Sequence, residues 1–520
     1  MNTTLKNAFS LLFSQVGTIL MSSILLVFVP TYFGEEDFGK YTYAAVLIAF
    51  FGLVGAAGTG TFLVKTIARD RTQLASYAAN AVTLKLTMGT LLSVGAALLG
   101  VVLDLDRTTL LFGAAALIVM NLTMVNEILV SCLHGIERMG RPATVGAVAQ
   151  VLAGIATLIL ISAKLAPTSI ALLAVPFSAI PIVVNAAAIR AETAPFRHIR
   201  IKWSVWKVLL IGGLPFMLYQ IVLYAYGSVD LLMLRPMTDS QTVGWYALAY
   251  RIISLPVLLA ATALLAMFPS LSVQAQDDPG RLANQVNRAL RFISFVTFPL
   301  AVGTIAVAPA LIDTFYTADF EQSAVLIRIL ALSMPIVVVD VILGMALFAT
   351  DRQSSFLVIG VIAAIINPAL NYVAIPYTVE RFSNGAIGAA SITVLTELVI
   401  MFGAMRIRPT GVLDSGTAGF LFRCGACAAA IAPAAIVVGA WGLPAMVLSG
   451  AVAYFFTTRI LDVIPRQELS HLYSQVRRKT SRTTDEIRDD SPIQPTDDAS
   501  SGVGRSGPPG VPPSESETST

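Results

Sequence analysis

Five ionisable residues stand inside stretches of chain that are otherwise apolar for the length of a membrane crossing. They are Glu127 in MVNEILV, Asp230 at the end of an apolar run, Arg251 about two turns into the next, Asp340 in VVVDVIL and Glu397 in VLTELVI. A lone charge at the bilayer centre costs about 2.5–3.5 kcal/mol even on insertion scales, so such residues face a watery cavity or each other and mark ion or substrate paths by default. Two readings follow. The carboxylates Asp340, Glu127, Glu397 and Asp230 carry or exchange ions and supply the charge of a lumen, or Arg251 pairs with Asp340 or Glu397 and holds helices together. Soluble-enzyme chemistry finds no support. Gly34-Glu35-Glu36-Asp37-Phe38-Gly39-Lys40 has the GxxxxGK spacing, but Tyr41 follows where a magnesium-binding Ser or Thr belongs and no strand precedes it. Cys424 and Cys427 have CxxC spacing inside an alanine-rich span with no second pair, so helix packing accounts for them better than metal. No cofactor, metal or nucleic-acid site is expected, and no enzymatic activity.

The elements that must position these residues are helices in lipid. Of 520 residues, 56% are hydrophobic and 12% charged, with mean hydropathy +0.77, which excludes a soluble globular chain. An all-α polytopic membrane protein follows. Runs of roughly 20 apolar residues fall at 8–33, 41–64, 80–103, 109–133, 142–163, 168–190, 206–228, 243–268, 289–312, 324–349, 354–376, 385–406, 417–440 and 442–463. Fourteen spans put both termini on one side. On that side fall 27 of the 34 Lys and Arg residues, Lys85 among them, against six on the other, with Arg251 between. The positive-inside rule makes the rich side cytoplasmic.

Two internal repeats order the spans. Phe38-Gly39-Lys40-Tyr41 opens an apolar run as Val243-Gly244-Trp245-Tyr246 does, 205 residues later. Glu137-Arg138 and Asp351-Arg352 match at an offset of 214, which also sets Asn126 opposite Asp340. Six spans per repeat preserve orientation, so the pseudo-two-fold axis lies along the membrane normal, with a cavity between the lobes. The expected organisation is a six-helix lobe over 1–198, a second over 199–410, two additional helices over 411–465 and a polar cytoplasmic tail over 466–520, basic and then disordered in composition. The 190–207 connection, basic and carrying Trp203 and Trp206, suits an interfacial segment or a plain charged linker. Loops on the other side are short, the longest about 14 residues near Arg235 to Thr242. Gly52, Gly55, Gly58 and Gly60 read as a close-packing stripe, and Pro181, Pro215, Pro256 and Pro335 as kink positions.

Several of these residues carry a resemblance. Pro30-Thr31-Tyr32-Phe33-Gly34, Phe38-Gly39-Lys40-Tyr41, Ile67-Ala68-Arg69-Asp70-Arg71, Asn80 and Leu84-Lys85-Leu86 resemble the polysaccharide (Wzx-type) flippase branch of the multidrug/oligosaccharidyl-lipid/polysaccharide exporter superfamily. So do Gly213-Leu214-Pro215, Asp230-Leu231-Leu232-Met233, Val243-Gly244-Trp245-Tyr246 and Phe268-Pro269. The resemblance covers about residues 5–465. It implies alternating access by two lobes that carry a polyprenyl-(pyro)phosphate-linked oligosaccharide to the outer leaflet of the plasma membrane, beside membrane lipids and the polymerase or glycosyltransferases of the same assembly. It also implies a cationic lumen for the phosphate, where Arg251 is similar in placement, although this chain offers only one mid-membrane arginine. A guanidinium binds phosphate through two hydrogen bonds and stays charged. Sugar hydroxyls need amide and hydroxyl partners, for which Tyr246, Gln220, Tyr224, Asn126, Asn367 and Asn371 are candidates. Competing readings are a cation-coupled multidrug antiporter of the same superfamily and a non-transporting component of a polysaccharide assembly. The first usually carries an acidic residue in its first span, and residues 8–33 hold none.

Overall fold

The computed structural model describes residues 3–192, 201–265, 271, 274–275 and 278–463. The tail over 466–520, the middle of the 190–207 connection and Phe268-Pro269 lie outside the described residues. Met1–Pro465 forms one compact unit. Among the described residues it is built of helices: α1 (Thr3–Ala56), α2 (Thr59–Arg69), α3 (Leu74–Val102), α4 (Arg107–Gly135), α5 (Gly140–Ser162), α6 (Pro167–Glu192), α7 (Trp203–Met237), α8 (Ser240–Leu265), α9 (Pro279–Phe315), α10 (Glu321–Ala331), α11 (Ser333–Ala349), α12 (Gln353–Phe382), α13 (Gly385–Ile407), α14 (Ser415–Ala429), α15 (Ile431–Val437) and α16 (Leu443–Ile460).

Twelve stretches among the described residues are long and apolar enough to cross a membrane. The first, Gly17–Arg69, is 53 residues long, about 80 Å at helical rise and more than twice the hydrocarbon thickness. It divides at Gly34, whose φ of 72° breaks the helical path in a region that only glycine enters without strain. Counting it as two passes and adding α8 brings the passes to fourteen. Lipid is the solvent of this surface: Leu98, Val183, Phe402 and Phe456 each expose more than half of their area, which only hydrocarbon accommodates at this density.

Some boundaries differ from expectation. No loop separates the first two spans, because the chain re-enters helix at Glu35. Span 2 breaks at Ala57–Gly58, span 10 at Leu332 and span 13 at Ala430. Pro181, Pro215 and Pro256 lie inside continuous helices, whereas Pro335 stands in the first turn of α11, where its missing N–H costs nothing. The connection between α7 and α8 is only residues 238–239, far shorter than the 14 residues expected there.

The repeat is written in the backbone. After α4, the Arg138 N–H donates to Leu133 O at 2.9 Å and Glu137 takes φ 66°. After α11, the Arg352 N–H donates to Leu347 O at 2.8 Å and Asp351 takes φ 57°. The first repeat pair goes further and brings its members together. A Cβ on Gly39 would lie 1.8 Å from Ser240 O, and one on Gly244 would lie 2.1 Å from Glu35 O. Equivalent glycines that touch belong near a two-fold axis, and here α1 and α8 cross backbone to backbone. Trp245 Nε1 donates to the Glu35 carboxylate and, at 2.8 Å, to Asp319 O, closing this Gly34 face of the lobe contact.

On the same face Asp106 caps α4, accepting from the Thr108 and Thr109 N–H groups at 3.2 Å. It also lies 3.6 Å from Lys40 and 3.7 Å from Arg235 of the second lobe. Burial lifts its carboxyl, but the Thr109 hydroxyl and N–H and the two cations outweigh that and hold it below the usual range. Its folded form binds the proton less tightly than the unfolded chain. The stabilisation is therefore complete above the ordinary aspartate range and is lost as pH falls through the lowered folded value. Toward the Arg69 face a second contact joins the lobes: a Cβ on Gly58 would lie 2.2 Å from Gly213 O, and one on Gly213 would lie 2.2 Å from Ala57 O. Helices α14 to α16 pack on α9, where Tyr454 donates to Phe295 O at 2.7 Å.

The crossing gives a direct test. Gly39→Val should lower the unfolding temperature in detergent by the equivalent of about 1–3 kcal/mol, the usual cost of overpacking. Gly303→Ala, where nothing lies within 4 Å of the added Cβ, should leave that temperature unchanged or raise it. Equal effects would mean that α1 and α8 do not cross as described.

Candidate functional site

Between the two interlobe contacts lies a cavity of about 530 Å³, walled by the second half of α1, by α4 and α6 of the first lobe, and by Gln220 and Tyr224 of α7. Its space exists because the walls are small: Ala45, Ala49, Gly52 and Ala56 face Ala115, Ala116, Ala171 and Ala174. Gly52 and Gly55 press against Met120 and Met124, and Gly60 against Glu127 and Ser131, so the stripe expected to pack closely does so against α4. Polar groups are few. Tyr41, Thr123, Glu127, Gln220 and Tyr224 supply them, and the Tyr224 hydroxyl donates to Val46 O at 2.5 Å. A larger groove of about 680 Å³ lies between α3, α4 and α6, with Thr83 and Arg190 as its polar members. It collects none of the residues singled out above.

One charged residue, Glu127, lines the cavity, and a second, Arg251, stands just outside its other end. Near Tyr41, the Arg251 guanidinium lies over the Phe38 ring, 5.1 Å from its centroid, a cation–π contact between lobes. It forms no ion pair with Asp340 or Glu397, and none with any other described residue. The inter-helix pairing weighed for Arg251 is therefore absent.

At the Ala56 end stands Glu127, 4.0 Å from Lys85 Nζ. The Lys85 side chain has no exposed surface. Its ammonium donates to Gly55 O at 2.9 Å and to Ala56 O. Those carbonyls end α1, where the break at Ala57–Gly58 leaves no helical donor for them. Lys85 does not lie at the basic cytoplasmic side expected for it: α3 begins at Leu74, which places Lys85 about 16 Å along the helix. The signal for its role was legible as a lysine within the apolar run NAVTLKLTMG, with Glu127 as the available partner.

The second lobe gathers the other carboxylates away from the cavity. Asp230 of α7 accepts from Tyr246 Oη and Thr393 Oγ1, both at 2.7 Å, and from Asn371 Nδ2 at 2.6 Å. Asn371 also donates to Asn367 Oδ1 at 2.8 Å. Asp230, Tyr246, Asn367 and Asn371 are all buried. Nearby, Glu397 of α13 lies within electrostatic reach of Asp340 of α11 and of Tyr226. Asp340 is 5% exposed; no N–H or hydroxyl of the described residues donates to its oxygens, and the Glu397 carboxyl is the group in hydrogen-bonding reach. Three carboxyls of the second lobe are thus buried, Asp230 among donors and Asp340 beside Glu397. No group of three or more His, Cys, Asp or Glu side chains among the described residues is placed to hold a metal ion, and Cys424 and Cys427 are buried free thiols.

The sequence candidates thus divide. Gln220, Tyr224 and Glu127 line the cavity, and Arg251 stands beside its Tyr41 end. Tyr246 and Asn371 join Asp230 in the second lobe, and Asn126 accepts from Asn185 Nδ2 at 3.0 Å. Phe38 marks the repeat and the family resemblance in the sequence, and nothing in its local sequence reveals that it seats a guanidinium.

A family model described as "Polysaccharide biosynthesis protein" matches residues 33–325. Among solved structures, a lipid II flippase MurJ in an inward closed conformation superposes with TM-score 0.65 at 16% identity, covering 88% of this chain and 98% of that one. An inward-facing multidrug resistance MATE family transporter of the MOP superfamily superposes with TM-score 0.57 at 15% identity, covering 74% and 94%. At these identities the likeness is one of fold. No curated protein matches the chain by sequence.

The buried lysine carries a prediction of its own. Lys85→Met leaves Glu127 uncompensated and should destabilise the protein by about 3 kcal/mol at most, since Glu127 is partly open to the cavity. Adding Glu127→Gln should recover part of that loss. A double variant as unstable in detergent melts as Lys85→Met alone would show that the two groups do not interact.

Proposed function

Because the chain belongs to the polysaccharide biosynthesis protein family, we propose that it is a flippase. It moves a polyprenyl-(pyro)phosphate-linked oligosaccharide from the cytoplasmic to the outer leaflet of the plasma membrane, with both termini in the cytoplasm. The observation that carries this reading is the first-lobe cavity, completed by Gln220 and Tyr224 of α7, with the Arg251 guanidinium, unpaired among the described residues, just outside it over Phe38. Arg251 remains charged at any physiological pH and offers a planar fork to a phosphate. In a partly dehydrated cavity its attraction for an anion far exceeds that in water. Exchanging its cation–π contact with Phe38 for a phosphate frees the ring where α1 and α8 cross. Gln220, Tyr224 and Thr123 present amide and hydroxyl groups to the sugars, while the polyprenyl chain stays in lipid. Alternating access then separates the lobes at Gly39/Gly244 on one face and at Gly58/Gly213 on the other. Opening the first of these faces also parts the aromatic contact of Phe38 with Phe320 and the Trp245–Glu35 hydrogen bond. Proton or cation exchange at Asp340 and Glu397 couples the cycle to a gradient, and the polymerase or glycosyltransferases of the same assembly handle the carried glycan.

The buried carboxylates of the second lobe also favour a cation-coupled antiporter as the second reading. Proteoliposomes loaded with a polyprenyl-pyrophosphate-linked oligosaccharide separate the two through leaflet accessibility. Wild type should move the lipid. Arg251→Ala and Ala49→Trp, which fills the cavity at an open position, should each slow it at least about tenfold. Asp340→Asn should remove the dependence on an imposed gradient. Wild type that exports small cations and leaves the lipid in place would sink the flippase reading.

A further inference from the structure

We propose that Glu127 is a specificity-determining residue of the cavity, admitting headgroups whose sugars present hydroxyl or ammonium donors and rejecting sugars that carry a carboxylate. The inference rests on the flippase reading and names the substrate class for it.

Three observations support it. First, Glu127 lines the cavity and its side chain is 37% exposed there, while no hydrogen bond within the described protein occupies its oxygens. Its one close counter-ion is Lys85 at 4.0 Å, fully enclosed behind it and committed to the Gly55 and Ala56 carbonyls. A ligand therefore meets the carboxylate, with the ammonium shielded on the far side. Second, the carboxylate lies against α2: Oε1 is 2.5 Å from where a Cβ on Gly60 would stand, so glycine at 60 leaves the carboxylate the room it occupies. Third, no Lys or Arg lines this cavity. Gln220 is the other exposed polar group on the facing wall, and it carries no charge.

Along α1, Arg251 stands just beyond one end of the cavity, and the Lys85–Glu127 pair, of which only the carboxylate is exposed, stands at the other. Tyr41, beside Arg251, and Ala56, beside Glu127, are fifteen residues apart on α1, about 22 Å at helical rise. A phosphate at the guanidinium end directs the sugars along the cavity toward Glu127. A sugar hydroxyl or amine donates to that carboxylate in a charge-assisted hydrogen bond. A sugar carboxylate would bring two like charges together in a poorly screened space, where repulsion is several-fold stronger than in water. Rejection of this kind supplies discrimination that attractive contacts alone do not.

The test compares two probe lipids in proteoliposomes: a polyprenyl-pyrophosphate-linked neutral disaccharide and the same lipid with a uronic acid as its terminal sugar. Wild type should move the neutral probe at least about tenfold faster. Glu127→Gln should bring the ratio of the two rates toward one. Gln220→Lys, at an exposed position that leaves the Lys85–Glu127 pair intact, should shift the ratio the same way and keeps the proposal testable if Glu127→Gln does not fold. Wild type that moves both probes equally, or folded variants of both kinds that leave the ratio unchanged, would overturn the role of Glu127. Wild type that moves neither probe would overturn the flippase reading, and this proposal with it.

Discussion

The lobes of this protein meet through glycine. At Gly39 and Gly244 on one face, and at Gly58 and Gly213 toward the other, backbone stands where side chains would ordinarily keep helices apart. In lipid, helix association gains little from hydrophobicity, since the tails outside are as apolar as leucine. Close approach and polar contacts supply it instead. Two small contacts separated along the membrane normal leave the space between them empty, and that space is the cavity. Around the first glycine pair, Phe38 and Phe33 of one lobe share a buried cluster with Val243, Leu248 and Phe320 of the other.

The two lobes repeat one another in backbone and differ in what they enclose. At the offset of 205, Ala45, Ala49 and Gly52 correspond to Tyr250, Ser254 and Val257, and at 214, Ala115 and Ala116 correspond to Ile329 and Leu330. Side-chain volume explains the outcome. The first lobe is hollow where its walls are alanine and glycine, and the second is filled at the matching positions. Into the filled lobe go the groups that need partners: Asp230 with Tyr246, Thr393 and Asn371, and Glu397 near Tyr226 and Asp340. Buried polar groups are tolerated when their bonds are made. Asp340 meets only another carboxyl, that of Glu397, a less usual way of satisfying a buried acid.

A different economy governs the cavity. Its charges are unpaired or loosely paired, Arg251 over an aromatic ring and Glu127 at the edge of an ion pair. Each is positioned by a neighbour that is itself immobile: Phe38 is fully buried, and Lys85 is anchored to the end of α1. A site preorganised in this way presents charge to a ligand without first having to rearrange.

Much of this was legible in the sequence. The passes, the repeat at both offsets and the close packing of Gly52, Gly55 and Gly60 follow from local properties: run length against the hydrocarbon thickness, and glycine where helices approach closely; the cavity, expected between the lobes, lies mainly within the first. The intramembrane charges were visible too, because one charge in an apolar run needs no context to be noticed. What the sequence left open was which of them meet. In a soluble helix the polar face tells which side is buried, but these helices are apolar all round, so periodicity does not say whether Tyr246 faces a lumen or Asp230. Tyr246, Asp230 and Asn371 come together from three helices, up to 141 residues apart, and Lys85 finds the end of α1 only because α1 breaks at Ala57. Those meetings depend on the rotation and depth of each helix against its neighbours, which long-range packing decides and no local run of residues encodes.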